Sequence, residues 1–178
     1  HLDPDARKEA LMGGRVTKVD KLDYVPKMPP VFEEGGVRYG NSWCNVNEPQ
    51  GVQGDCSKWL EHFDVLGWGG HLKKHILQYL AFTLLYPEKK INHMLTLGSA
   101  EGGGKDFLLY PFTKAMGDHS HTISGDELTE DFNDYLLSTK HLLVNETELG
   151  DRKEALAISA KLKPLAAAPP DRLRVNQK

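Results

Sequence analysis

Cysteine is scarce in this chain, with only Cys44 and Cys56. Two are too few for a disulfide scaffold or a four-cysteine zinc site, so the expectation is a pair of reduced, buried thiols in a cytoplasmic protein. Long apolar runs are missing as well. No stretch of about eighteen apolar residues occurs, and the amino end carries Asp3, Asp5, Arg7 and Lys8, so neither a membrane span nor a secretory signal is expected. There is no excess of one charge. A formal net charge of -3 over 178 residues excludes a uniformly basic nucleic-acid binder. It leaves room for a local basic groove, because the local field decides where phosphates bind. Internal repeats are absent too. The length suits one medium domain, or a domain with an attached arm. The chain opens on His1 and stops at Lys178 in mid-pattern, which reads as a piece of something longer.

Turn residues dominate the first stretch. Pro4, Gly13, Gly14, Pro26, Pro29 and Pro30 mark residues 1 to about 30 as an arm or linker, with a short helix near Asp5 to Met12. Val31-Phe32 and Val37-Arg38-Tyr39 flank Glu34-Gly35-Gly36, the pattern of a small hairpin whose turn needs glycine at positive φ. From Ser57, a possible cap, Trp59, Leu60, Phe63 and Leu66 fall at helical spacing. Gly67 to Gly70 should break that helix. A second follows from His71 to Leu85, with Leu72, Ile76, Leu80 and Leu84 on one face and Pro87 to end it. Ile91 to Leu97 then reads as a buried strand, Lys105 to Met116 as a helix, and Ser120 to Ile123 as a short strand. Glu127 to Leu137 has the pattern of an amphipathic helix. His141 to Asn145 (HLLVN) has the length of a central parallel strand. Arg152 to Leu162 should be helical, stopped by Pro164. This alternation predicts an α/β fold, a parallel sheet core flanked by helices.

The chemistry concentrates at Leu97 to Asp106, LGSAEGGGKD. A phosphate loop needs a buried strand to deliver the chain, glycines that let amides converge on an anion, and a helix whose positive end faces the phosphates. Here Ile91 to Leu97 would deliver, Gly102, Gly103 and Gly104 would converge, and the helix would begin at Lys105, whose ammonium reaches the β- and γ-phosphates of ATP. The spacing departs from G-x-x-x-x-G-K: Ser99 stands where the first glycine belongs, and Gly98 lies one residue early. Asp106 replaces the Ser or Thr that ligates Mg²⁺, so a water-mediated contact to the metal is expected.

Some forty residues on, the strand HLLVN runs into Asn145-Glu146, where ATPases of this type keep their acidic pair. Glu146 is placed to orient the attacking water, and Asn145 to bond a metal-bound water. The closing segment, KLKPLAAAPPDRLRVNQK, holds Lys161, Lys163, Arg172, Arg174 and Lys178 against Asp171 alone, a local net charge of +4 that suits a phosphate backbone. Three regions follow: an amino-terminal arm and small hairpin over 1–56, a helical lead-in over 57–90, and a partial P-loop ATPase core over 91–178.

Loop, strand and basic tail in this order resemble the helicase domain of virus- and phage-type primase–helicase replication proteins, superfamily 3 helicases of the AAA+ class. The resemblance covers about residues 40–178. It rests on NSW at Asn41 to Trp43, Leu85-Tyr86-Pro87 with Lys89-Lys90-Ile91, and GGGKDFLLYPF at Gly102 to Phe112. DELTEDFNDYL at Asp126 to Leu136, VNE at Val144 to Glu146, Leu162-Lys163 and VNQK at Val175 to Lys178 complete it. GKD in place of GKS or GKT resembles a phage-borne subset. What the resemblance implies is an AAA+-like P-loop NTPase: a ring-forming, hexameric motor in the full-length protein, in the cytoplasm of a bacterial host. It would be driven by ATP and Mg²⁺ along single-stranded DNA. Lys105 would hold phosphates, Glu146 would activate water, and Lys163 and Lys178 would touch the strand. The resemblance places the sensor strand and arginine finger beyond Lys178, so slow turnover by this chain alone is implied.

Two rivals remain open from the residues. A P-loop kinase would share the loop, although Glu146 after an apolar strand favours hydrolysis over transfer. A non-catalytic interaction module would account for Asn145 and Asp106 as marks of a degenerate site. His119 and His121 alternate as surface histidines would, and Trp43, Trp59 and Trp68 suit core packing better than base stacking.

Overall fold

The computed structural model describes residues 17–43, 53–98, 100, 102–130, 133–145 and 152–167. The expected helix near Asp5 to Met12 lies outside them, as do Cys44, Ser99, Glu146, Arg172, Arg174 and Lys178. The chain divides into two compact units, residues 1–44 and 45–178.

In the first unit the hairpin forms as its glycines require. Strand β2 (Val31–Glu34) pairs antiparallel with β3 (Val37–Asn41), and the turn residues Gly35 and Gly36 sit at φ 59° and 77°. Such a primed turn matches the twist of the flanking strands. Phe32 and Tyr39, opposite one another in the register, stack with ring centroids 5.1 Å apart. A third strand, β1 (Lys21–Asp23), joins β3 in parallel, inside the stretch that reads as linker. Asn41, the last residue of β3 and registered with Asp23, ties the chain that follows β1. The Asn41 amide donates to the carbonyls of Val25 and Met28, each at 2.8 Å, and its oxygen accepts from the amides of Val25 and Trp43.

The second unit begins with α1 (Ser57–Val65). Cys56, not Ser57, holds the cap position and makes no side-chain cap bond, while the Asp55 carboxylate accepts from the Ser57 amide at 2.9 Å. Hydrogen bonds from the Ser57 amide and hydroxyl hold the Asp55 carboxyl below its ordinary range. Cys56, expected to be buried, is exposed. Gly67 and Gly70, at φ 72° and 58°, break the helix before α2 (Gly70–Leu85). The buried face of α2 is Ile76, Leu80 and Thr83, while Leu72 and Leu84 are 45% and 38% exposed. The stripe is thus turned from the expected one, because an i, i+4, i+8 row drifts around a helix of 3.6 residues per turn.

Residues 91–97 form no strand. A strand is defined by its partner, and among the described residues the parallel sheet of this unit holds only β4 (Ser120–Ser124) and β5 (His141–Asn145). Leu95 and Leu97 are nonetheless half-buried against the core. Helix α3 (Lys105–Met116) occupies its expected span, with Pro111 on an exposed face. The expected helix over 127–137 is broken in two. A capping box between Ser124 and Glu127 starts α4 (Gly125–Thr129), and a single 3-10 turn covers Asp134–Ser138. Thr129, Asp131 and Asn133 are weak helix formers, which accounts for the interruption. The last helix, α5 (Arg152–Ala166), runs through Pro164 rather than ending before it.

The core gathers Phe63, Trp68, Ile76, Leu80, Leu108, Leu109, Phe112 and Met116, with Leu143 of β5 packed against it. Trp68 is buried and Trp59 half-buried here; Trp43, in the first unit, is half-buried edge-on to Tyr24. A smaller cluster, Ile123, Leu128 and Ile158, holds α4 and α5 to the sheet. No helix among the described residues is long and apolar enough to cross a membrane. Phe63 is wholly shut off from water. Phe63→Ala should therefore cost about 3–5 kcal/mol, read as a lower urea midpoint with an unchanged slope.

Candidate functional site

The glycine-rich loop adopts a conformation that only glycine takes without strain. Gly102 and Gly104 sit at φ 67° and 82°, and the Gly103 amide donates to the Ala100 carbonyl at 3.2 Å. Gly104 is the residue before α3, and no side chain caps the helix there. The positive end of the α3 dipole lies at this loop, and within the first turn the Phe107 amide donates to the Gly104 carbonyl at 3.1 Å.

Side chains from the helices before it brace the loop. His62 on α1 places Nε2 3.2 Å from the Gly104 carbonyl oxygen and meets Phe107 edge-on, with centroids 5.1 Å apart. A Cβ at position 104 would come within 2.7 Å of that nitrogen. The Trp68 indole donates to the Gly98 carbonyl at 3.3 Å, and the Trp59 indole donates to the Leu108 carbonyl at 3.2 Å. These bracing roles were not legible in the sequence. The one available signal was general: a tryptophan packed in a core needs a partner for its N–H.

Lys105 is half-buried at the first position of α3, and Asp106 is exposed at the second. An aspartate there also stabilises the helix through its dipole, a structural role that needs no metal. The chain turns back through Gly117–His119 into β4, and β5 lies beside β4 in parallel, with Ser124 opposite Asn145. His141, at the start of β5, meets Phe112 edge-on at 4.6 Å, two turns into α3. This contact ties the start of β5 to the carboxyl-terminal half of α3. Asn145 is half-buried at the end of β5, and Glu146 follows it in the chain. Lys163 is exposed on α5.

Among the described residues, no group of three or more His, Cys, Asp and Glu side chains is arranged to hold a metal ion. Asp106 lies in the first turn of α3 and Asn145 closes β5, and each carries an oxygen donor of the kind Mg²⁺ takes. Histidines 119, 121 and 141 serve the fold instead. His119, expected on the surface, is buried. His121 Nδ1 lies 2.9 Å from the Thr139 hydroxyl, and His141 Nδ1 lies 2.8 Å from the Ser120 hydroxyl. Burial lowers the His141 pKa to about 4. Comparison with protein families, with curated proteins and with solved structures found no match to this chain.

Two outcomes follow from this geometry. Gly104→Ala forces a Cβ into the left-handed region and against His62, so the melting temperature should fall by the equivalent of about 1–2 kcal/mol. Adding His62→Ala should recover only the steric part. His141 titrates near 6.5 when unfolded and near 4 when folded. Below pH 6.5 the unfolded chain takes up a proton that the folded one refuses, so stability drops as the pH falls toward 4. Between pH 7 and 4.5 the wild type should lose roughly 2–3 kcal/mol more than His141→Gln in urea titrations.

Proposed function

We propose that the chain binds ATP at the loop 97–106 and forms the ATPase core of a replicative DNA helicase of the superfamily 3, AAA+ type. One observation carries this reading. A loop with two left-handed glycines leads into Lys105 at the first position of α3. Glycines that let amides converge, followed by a helix N-terminus and a lysine, are what an anion such as a phosphate needs.

In this reading the first amides of α3 and the Lys105 ammonium cradle the phosphates. Asp106 reaches Mg²⁺ through water and Asn145 bonds a metal-bound water. Glu146 orients the water that attacks the terminal phosphate, and Lys163, Arg172, Arg174 and Lys178 supply strand contacts. The metal would neutralise charge on the phosphates. Turnover in a ring would draw further groups from a neighbouring subunit of the homo-oligomer.

One observation favours a second reading. Residues 91–97 reach the loop without strand pairing, whereas phosphate loops are usually delivered by a sheet strand. A degenerate, non-catalytic module would tolerate that. ATP binding separates the two. At 100 times its dissociation constant, ATP·Mg²⁺ should stabilise the chain by about 2.7 kcal/mol in a thermal melt. Lys105→Ala, which removes a charge-assisted contact, should weaken binding roughly ten- to a hundredfold. An unchanged affinity in that variant would discard the ATP site, and a wild type that ATP does not stabilise would leave the interaction module.

A further inference from the structure

Along α2, away from the loop, the structure assembles a run of rings beside a row of lysines. The His75 and His93 rings stack at 5.3 Å, Tyr79 meets His93 at 5.3 Å, and Phe82 meets Tyr86 at 5.1 Å. His75, Tyr79, Phe82, Lys90 and His93 line a groove of about 340 Å³ between α2 and the segment that follows it. The Lys89 ammonium lies 4.8 Å from the Tyr86 ring centroid. The Lys90 ammonium donates to the Pro164 carbonyl at 3.4 Å, next in the chain to the exposed Lys163, and the Lys140 ammonium donates to the Lys89 carbonyl at 2.6 Å. Glu88 is the carboxylate whose field reaches this row. The patch is cationic on a chain whose net charge is -3.

We infer that this groove binds single-stranded nucleic acid, with bases stacked on the rings of His75, His93 and Phe82 and phosphates along Lys89, Lys90, Lys140 and Lys163. Ring faces beside spaced cations suit a strand whose bases are unstacked and whose phosphates recur along it. A duplex hides its base faces, and a free nucleotide offers phosphate at one end only. The groove is separate from the glycine-rich loop. Trp68 contacts Gly98, and Tyr79 donates to the His93 carbonyl at 3.4 Å, so the segment from His93 to Gly98 runs back along α2. Nine helical residues, about 14 Å, separate the start of α2 from Tyr79. The partner is the class the helicase reading also requires, and the inference rests on that reading to this extent, but of its residues Lys163 alone is shared with it.

Fluorescence anisotropy of labelled oligo-dT with the full 178-residue chain tests it. His93→Ala should weaken binding about 5- to 100-fold through lost stacking. Lys90→Ala should weaken it and lower the slope of log affinity against log salt by about 0.7. Both variants should keep the ATP affinity of the wild type. With no variant at all, strands carrying 4-thiouracil should cross-link within residues 75–93. Oligo-dT binding that is absent, unchanged in both variants, or matched in strength by duplex or by a mononucleotide overturns the inference, as do cross-links confined elsewhere. Loss of strand binding in the variants of a chain that never binds ATP would uphold the groove while the ATPase reading fell.

Discussion

Phe63, Ile76 and Leu108 stand on α1, α2 and α3, and each is at most 1% exposed. Full burial of such side chains is worth about 1.5–3 kcal/mol apiece, which no surface contact in this unit approaches. Every position that matters for the candidate site hangs from this packing. It fixes α1 beside the start of α3, so that His62 reaches the Gly104 carbonyl, and it seats Trp68 where the indole can take the Gly98 carbonyl. Among its described residues the loop makes one turn bond, from the Gly103 amide to the Ala100 carbonyl, while Trp68 meets it at Gly98 and His62 at Gly104.

The approach to the loop follows from the same constraint. Backbone groups removed from water must find partners, and the chain from His93 to Gly98 has no sheet neighbour among the described residues to supply them. Side chains from α2 and from the turn before it do so at the two ends, Tyr79 at the His93 carbonyl and Trp68 at the Gly98 carbonyl. A segment tied at points opens more readily than one tied residue by residue in a ladder.

Charge is distributed by burial as much as by composition. Desolvation holds Lys140 below the ordinary lysine range, with Lys90 adding to it and Glu88 opposing. It acts more strongly on His141. The histidines of the parallel strand pair are half-buried, His121 beside the Thr139 hydroxyl and His141 beside the Ser120 hydroxyl. Tyr79, raised by burial, remains a neutral phenol that can donate to the His93 carbonyl.

Local rules were legible from the residues: the hairpin at Gly35-Gly36, the extent of α3 from Lys105 to Met116, the strands at Ser120 and His141, and the glycines that would take left-handed conformations. Each depends on a few neighbours in the chain, where turn geometry and helical or alternating periodicity operate. Non-local pairing was not legible. β1 pairs with β3, whose last residue Asn41 ties the turn around Val25 and Met28, and residues 91–97 fail to become a strand for want of a partner. The break between α4 and the turn at Asp134 turns on a capping box that competes with the longer apolar pattern. By itself, then, the sequence determined where the glycine-rich turn lies and that a helix starts at Lys105. Only the tertiary structure decided that His62 and Trp68 hold it, and that rings and lysines meet along α2. The physical reason is that those contacts join residues distant in the chain, and the packing of Phe63, Ile76 and Leu108 decides which of them meet.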